Sequence, residues 1–347
     1  MVTAALMMKC LAVFALVFVG LLPVSAGARI ITDAAGRSVS VPDKIDRIVV
    51  AGPPAAVLVY VLAPEKLAGW VHAPDDAAKA YLTPSARALP TIGRLTGKDG
   101  TVGPQAVMDA KPDIILDVGT VDDGYKALAD RVQAETHIPY VLIDGSLART
   151  SLTLRDVGAL IGVGDRANKL ADYADAAIKE LNDKLATLPN DPRPRVYYGR
   201  GGDGLQTGLS GSINVEILDA VGTMNVAAAA GKGGLTRVTP QQVAEWNPDI
   251  IIAEDAHFAA SVRSDPQWAA IKAVKDSRIF VPPSLPFGWF ESPPGVNRLI
   301  GLRWLENLLY PQLFKSDLTA DVKTFYKLFY QVELTDEQAA ALLKDVK

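Results

Sequence analysis

Two histidines, two arginines and one aromatic run are the residues of this chain best equipped for chemistry. His72 and His257 each follow a short apolar run, at matched places in the two halves, and a neutral imidazole there is a competent ligand for iron, zinc or copper. A bare zinc or manganese ion requires three or four converging His or carboxylate ligands, and only these two of the three histidines stand at one edge. The pattern therefore favours a pre-chelated metal or an anion over a naked cation, and no metal or cofactor is assigned to the protein itself. Arg94 lies in the glycine-rich stretch 91–98 (TIGRLTGK) and Arg200 in 199–204 (GRGGDG). A guanidinium presents planar donors that match carboxylates, catecholates, phosphates or an oxyanion, so each arginine is either a ligand contact or a solvated, lobe-bridging residue. Residues 199–204 lack the Lys-Ser/Thr ending of a phosphate loop and no helix follows directly, which argues against a nucleotide.

The aromatic run is Phe287, Trp289 and Phe290, inside the proline-rich segment 282–295 (PPSLPFGWFESPPG). Prolines hold such faces in place at low ordering cost, which suits a flat chelate or haem, and a core plug beneath the loop is the alternative. A helix beginning at Gly52-Pro53-Pro54, and another at Ser292-Pro293 with Ser292 as cap, would point backbone N–H groups at the same space and favour negative charge. Trp70 and Trp304 are expected in the core and Asp75-Asp76 in a solvated turn. No Ser/His/Asp spacing, paired catalytic carboxylates or metal motif emerges, so the chain does not read as an enzyme.

Short apolar runs at 47–51, 67–71, 113–118, 139–143, 195–198, 249–253 and 278–281 alternate with helical segments at 55–62, 104–110, 123–135, 240–246 and 267–274. That alternation predicts parallel sheets, whose ligands collect outside the carboxyl ends of the strands. Residues 52–54, His72, Arg94, Gly119, Asp144, Arg200, His257 and 287–290 all belong to that edge, whereas His137 precedes its strand. Residues 29–41 read as a hairpin, 212–220 as a helix capped by Ser212, and 318–347 as two amphipathic helices.

Segments 101–116 (TVGPQAVMDAKPDIIL) and 237–252 (RVTPQQVAEWNPDIII) align without a gap on Val, Pro, Gln, Val, Pro, Asp, Ile and Ile. Between them, 165–188 contains no Gly or Pro, and Leu170, Ala174, Ile178, Leu181, Leu185 and Leu188 recur at spacings of three and four. This predicts one helix of roughly 35 Å, capped by Asp165 and stopped by Pro189, Pro192 and Pro194. The expected fold class is α/β, with two Rossmann-like lobes (27–150 and 191–347) of mainly parallel sheet joined by a single long rigid helix within the linker 151–190.

The 347 residues are 49% hydrophobic and 21% charged with net charge −4, so nothing electrostatic draws the chain to nucleic acid or an anionic membrane, and a monomer is expected. Residues 1–26 combine Lys9, an apolar run at 10–22, Pro23 and Val-Ser-Ala ending at Ala26, the pattern of a cleaved export signal, with an uncleaved anchor as the alternative. The start at Met7 or Met8 has the better signal shape. Cys10, the only cysteine, falls inside that segment, which excludes disulfides and thiolate sites from a mature chain.

The bridging helix, the duplicated Pro-Asp-Ile-Ile, residues 152–173 (LTLRDVGALIGVGDRANKLADY) and 288–302 (GWFESPPGVNRLIGL) together resemble the periplasmic substrate-binding proteins of iron-siderophore and vitamin B12 ABC importers, from about residue 30 to the end. The resemblance implies limited lobe closure, capture of a large metal chelate between the lobes, and delivery to a permease driven by an ATPase. An iron-siderophore is the expected cargo; molybdate or tungstate, haem and cobalamin are alternatives on the same fold, and a two-lobed enzyme or a ligand sensor is the alternative of another class. One departure matters. The family commonly carries a glutamate on each lobe, seven residues before the Pro-Asp proline, that docks on permease arginines; here Gln105 and Gln241 stand there. Asp109 and Glu245 lie four residues further on the same helical faces, and either these acids or uncharged contacts through Gln105 and Gln241 are expected to carry docking.

Overall fold

The computed structural model describes residues 27–96, 100–188 and 193–344. The expected export signal, Gly97, Lys98, Pro189 and Pro192 lie outside the described residues.

The chain begins with an antiparallel hairpin, β1 (Ala28–Thr32) and β2 (Ser38–Pro42), as the alternating pattern predicts. β3 (Ile48–Val50) leads into α1 (Pro53–Leu62), followed by two short helical turns, α2 (Asp76–Lys79) and α3 (Pro84–Arg87). Then come α4 (Pro104–Ala110), β4 (Ile114–Gly119), α5 (Asp123–Thr136) and β5 (Tyr140–Asp144). Two helices, α6 (Thr150–Leu160) and α7 (Gly164–Leu185), carry the chain across. The second lobe contains β6 (Arg195–Gly199), β7 (Gln206–Gly208), α8 (Glu216–Ala220), β8 (Met224–Asn225), β9 (Leu235–Arg237), α9 (Pro240–Trp246), β10 (Ile250–Ala253), α10 (Ala256–Ser261), α11 (Lys272–Lys275) and β11 (Ile279–Phe280). α12 (Arg298–Leu309), α13 (Leu318–Phe325), one π-turn (Tyr326–Tyr330) and α14 (Asp336–Leu342) complete it.

Both main sheets are parallel and share one order. The first runs β3-β4-β5, with Leu67 bridged to Ile48 on the open side of β3; the second runs β8-β6-β10-β11. The duplicated sequence thus occupies equivalent places: α4 before β4 and α9 before β10, both with proline in the first turn and a left-handed residue, Lys111 or Asn247, at the C-cap.

α7 is unbroken for 22 residues and buries the face carrying Ala167, Leu170, Ala171, Ala174, Ala177 and Leu181. It packs on α6 at close range: a Cβ on Gly158 would stand 2.1 Å from that of Ala167, so only glycine fits there. One continuous core runs from Val50, Leu116 and Val141 of the first sheet, through α7 and α12, to Val196, Tyr198, Ile250 and Ile252 of the second. Separate clusters fill the outer faces of the two sheets. A shared core of this kind resists hinge opening, because separating the lobes exposes apolar surface at roughly 25 cal/mol per Å².

Four local expectations are corrected. Asp165 is not the cap of α7; Val163 holds that place and Asp165 sits in the first turn, where it still complements the helix dipole. Residues 67–71 form isolated bridges, Ile48 to Leu67 and Trp70 to Thr91, instead of a strand. Ser212 caps nothing: its hydroxyl pairs with Asn214 and α8 starts only at Glu216. Ser292 is not an N-cap either, because its hydroxyl is taken by Glu254. Asn297 bonds the carbonyls of Gly288 and Pro293, holding the segment as a loop until α12 begins at Arg298.

Candidate functional site

The carboxyl ends of both parallel sheets face one another, and the two walls between them differ in chemistry. The first-lobe wall begins where β3 ends. Ala51 O accepts from the N–H groups of Leu95 and Thr96 and from the Thr96 hydroxyl, which pins the loop carrying Arg94 against the start of α1. Arg94 is half-buried there. α1 has Gly52 as N-cap and Pro53 and Pro54 in its first turn. Two of its orphan N–H groups are therefore absent, and Ala56 N–H bonds back to Gly52 O. The expected donor array is reduced to an apolar proline step, a correction to the anion-binding role of this helix start.

A cavity of about 260 Å³ opens against that step, lined by Pro53, Val57, Trp70, His72, Phe287 and Ser292 among others. Phe287 closes it from the second lobe, with ring centroids 6.0 Å from Trp70 and 5.8 Å from Tyr60. His72 is exposed at its mouth. Pro54 faces a smaller recess beside Ser146, Thr150 and Arg298.

The second-lobe wall is polar. Arg200, at the end of β6, donates through Nε to Glu291, through Nη1 to Gln206 at 2.7 Å and through Nη2 toward Glu254 at 3.5 Å. Glu291 is 2% exposed and also accepts from the Tyr198 hydroxyl at 2.8 Å and from Asn214. Burial pushes the Glu291 carboxyl above its usual range against the pull of Arg200. Burial also works against the charge on Arg200, yet Glu291 and Glu254 together hold its pKa above the ordinary value. Glu254, at the end of β10, further accepts from Ser292 Oγ at 2.6 Å and Gly201 N–H at 3.1 Å.

The lobes touch directly behind these walls. Arg298, 1% exposed, donates to Glu216, Ile213 O and Gly295 O in its own lobe, and to Gly145 O of the first lobe at 2.7 Å. Glu216 in turn accepts from Leu147 N–H at 2.7 Å.

The structure thus brings Pro53, His72 and Phe287 to one space; Arg200 does not line it but is linked through Glu254 to Ser292, which does, and Arg94 is not among the lining residues. The structure does not bring Trp289 there. Trp289 is fully buried, its indole N–H bonded to the Tyr326 hydroxyl at 3.2 Å, while Phe290 stacks on Tyr198 at 4.2 Å. The wet side of this loop is Phe287, because Pro286, Phe287, Ser292 and Pro293 line the cavity while residues 288–291 turn inward. His257 lies exposed in the first turn of α10 and does not line the cavity. The duplication places it after β10, equivalent to the exit of β4, so it is not the counterpart of His72. Among the described residues no three His, Cys, Asp or Glu side chains are grouped to hold a metal ion. The sequence reading missed Glu254, Glu291 and Asn214; the carboxylate at the end of β10 and the acid inside the aromatic loop were the available signals.

Two further features lie away from the cleft. A cavity of about 680 Å³ sits outside the first lobe, between the hairpin, β5 and α6, and is lined by Arg29, Asp33, Asp144, Arg149 and Asp156. On the two equivalent helices, Gln105 donates to Asp109 at 2.8 Å on α4 and Gln241 to Glu245 at 3.2 Å on α9, all four exposed.

Two lobes of like sheet order, joined through a long helix and a shared core, with a small cavity lined from both, are the architecture of a two-lobed solute-binding protein. Residues 48–285 match the family described as periplasmic binding protein, and the chain belongs to it. Membership carries a periplasmic location and, as partners, the permease and ATPase of an ABC importer. The chain is 28% identical to the molybdate-binding protein MolA of Haemophilus influenzae, over 90% of this chain and 93% of that protein. An ABC transporter solute-binding protein from Sulfurospirillum deleyianum superposes with TM-score 0.80 at 28% identity, covering 91% of this chain and 99% of that one. The molybdate-bound structure of MolA gives TM-score 0.74 at 26% identity, covering 88% and 99%.

Proposed function

We propose that this protein captures a small metal oxyanion, molybdate or tungstate, between its lobes and presents it to the permease. The observation that carries the reading is the size of the inter-lobe cavity: at about 260 Å³ it is smaller than ordinary ligand pockets, which run from about 300 to 1,000 Å³. A siderophore, haem or cobalamin requires considerably more room. The end-to-end likeness to a molybdate-binding protein supports the same choice. A second reading, a compact ferric chelate, is favoured by one feature: Trp70, Phe287 and the prolines offer flat apolar faces to an organic ligand.

Calorimetric titration of the mature protein with molybdate, tungstate, sulfate, a ferric hydroxamate and a ferric catecholate separates the two. Saturable one-to-one binding of molybdate is expected. Binding of ferric chelates alone would replace the first reading by the second. Trp70, at the cavity wall, is the fluorescent reporter, and Trp70→Phe should abolish a ligand-induced emission change that Trp289→Phe leaves intact.

We infer further that the export signal ends near Ala26, and that the paired Gln105–Asp109 and Gln241–Glu245 faces dock on the permease. In each pair the amide donates to the acid, so an acceptor-rich face remains toward an arginine. Replacing Asp109 and Glu245 by alanine together should lower uptake in cells at least about tenfold with ligand affinity unchanged. Undiminished uptake would remove these acids from the interface.

A further inference from the structure

Glu254 is held by an unusual set of donors. Its Oε1 accepts from the Ser292 hydroxyl at 2.6 Å and faces Arg200 Nη2 at 3.5 Å, and its Oε2 accepts from Gly201 N–H at 3.1 Å. A guanidinium, a hydroxyl and a backbone N–H converging from two loops are the groups that recognise an oxyanion. Ser292 also lines the inter-lobe cavity, so this donor set adjoins the cavity through that residue.

The two carboxylates on Arg200 are not equivalent. Glu291 is buried at 2% side-chain exposure and fixed by Tyr198 and Asn214 as well as by Arg200 Nε. Glu291 alone matches the charge of Arg200. Glu254 is the surplus negative charge; its side chain is 27% exposed and its contact with Arg200 is at the outer limit of a hydrogen bond. A structural ion pair needs one carboxylate at close range, and that requirement is already met by Glu291.

We propose that Glu254 is an internal stand-in for the ligand: its carboxylate occupies the oxyanion subsite formed by Arg200, Gly201 N–H and Ser292, and the bound anion displaces it. This rests on the oxyanion reading and names the subsite and the competitor within it. Each ligand oxygen would take a donor that Glu254 gives up, so no polar group is left unpaired on exchange. The competing carboxylate lowers the affinity for any anion and sets a threshold below which the cleft stays self-occupied. Phe287 and Trp70 then bound the space into which the anion fits.

The test is calorimetry with sodium molybdate on the full mature chain, for the wild type, Glu254→Gln, Arg200→Gln and the double variant, with thermal unfolding confirming that each folds. Loss of the competing charge in Glu254→Gln should tighten molybdate binding by about tenfold, the size of one charge-assisted contact. Arg200→Gln should weaken binding, and the gain should vanish in the double variant. A wild type that fails to bind while Glu254→Gln binds would also support the proposal. Equal or weaker binding by Glu254→Gln, in a wild type that binds molybdate, overturns the stand-in role and leaves the oxyanion reading intact. Absence of binding in both overturns that reading, and the proposal with it. Should Arg200→Gln fail to fold, Ser292→Ala, which removes only the hydroxyl donor, serves in its place and should weaken binding severalfold.

Discussion

The two lobes share one sheet order and one duplicated helix-strand unit, yet their strand ends carry different chemistry. On the first lobe, strand β3 ends in two prolines that delete backbone donors, and the wall is completed by Trp70 and Val71. On the second, strands β6 and β10 end in Arg200 and Glu254, and the loop after β11 adds Glu291 and Ser292. The difference teaches an unequal elaboration of a symmetric frame: both lobes give apolar faces to the cavity, Pro53 and Trp70 from one and Phe287 from the other, while the Arg200–Glu254–Glu291 network stands on the second alone. Symmetry persists where a symmetric partner is expected, in the matched Gln105–Asp109 and Gln241–Glu245 faces of α4 and α9.

The most direct way to break this comparison is to uncouple the walls. Arg298 is buried and spans the lobes through Gly145 O, while Glu216 takes Leu147 N–H. Arg298→Ala strands these partners and should cost about 3 to 5 kcal/mol of stability, read as a lowered urea midpoint. A loss under about 1 kcal/mol would show that the shared apolar core alone holds the lobes.

Burial pushes up a carboxylate on each lobe, Asp117 with no cation beside it and Glu291 with Arg200 opposing the shift. Asp117 on β4 is 4% exposed with only the Tyr140 hydroxyl as side-chain partner, and burial pushes its pKa up to about 6. A raised carboxyl pKa means that its contribution is fully present below the unfolded value near 4 and is lost as pH rises through about 6. Asp117→Asn keeps an acceptor for Tyr140 and should therefore stabilise the protein at pH 8 by about 2 kcal/mol, with little effect at pH 4. Burial raises the Glu291 carboxyl as well, but against the pull of Arg200, so Glu291→Gln should shift stability at pH 8 in the same direction with a smaller gain than Asp117→Asn. Thermal unfolding across that pH range reads both; a gain for Glu291→Gln as large as that for Asp117→Asn would dissolve the distinction between the two sites.

The smallest effect sharpens the ligand assignment. Phe287→Ala removes the aromatic closure of the cavity. A molybdate site built on the polar wall should lose less than about threefold in affinity, whereas an organic chelate stacked on that ring should lose about tenfold.

Much of the fold was legible in the sequence because its signals are local. α4 and α9 start and stop at the residues expected from proline in the first turn and the following Pro-Asp, and the uninterrupted apolar stripe marked α7 to within three residues at its end. The site was legible only as a neighbourhood. That strand ends gather the candidate residues follows from topology; His72 and Phe287 line the cavity, and Arg200 follows β6 without lining it. Which aromatic of the 287–290 run faces outward depends on a tertiary contact, the Trp289–Tyr326 bond, made with a residue far along the chain. The Ser292-Pro293 step carries a strong cap signature, but its hydroxyl finds a carboxylate 38 positions away in sequence, and no periodicity reports such a pairing. The prolines after Gly52 were read as a helix start, which they are, without the consequence that they also remove the donors an anion would use.

Diffraction from crystals grown with molybdate, recorded at the molybdenum edge, tests the central claim most directly. The expected result is one anomalous peak between the Pro53–His72 wall and the Arg200–Ser292 rim. A peak in the outer cavity beside Arg29 and Arg149, or none while a ferric chelate fills the cleft, would contradict it.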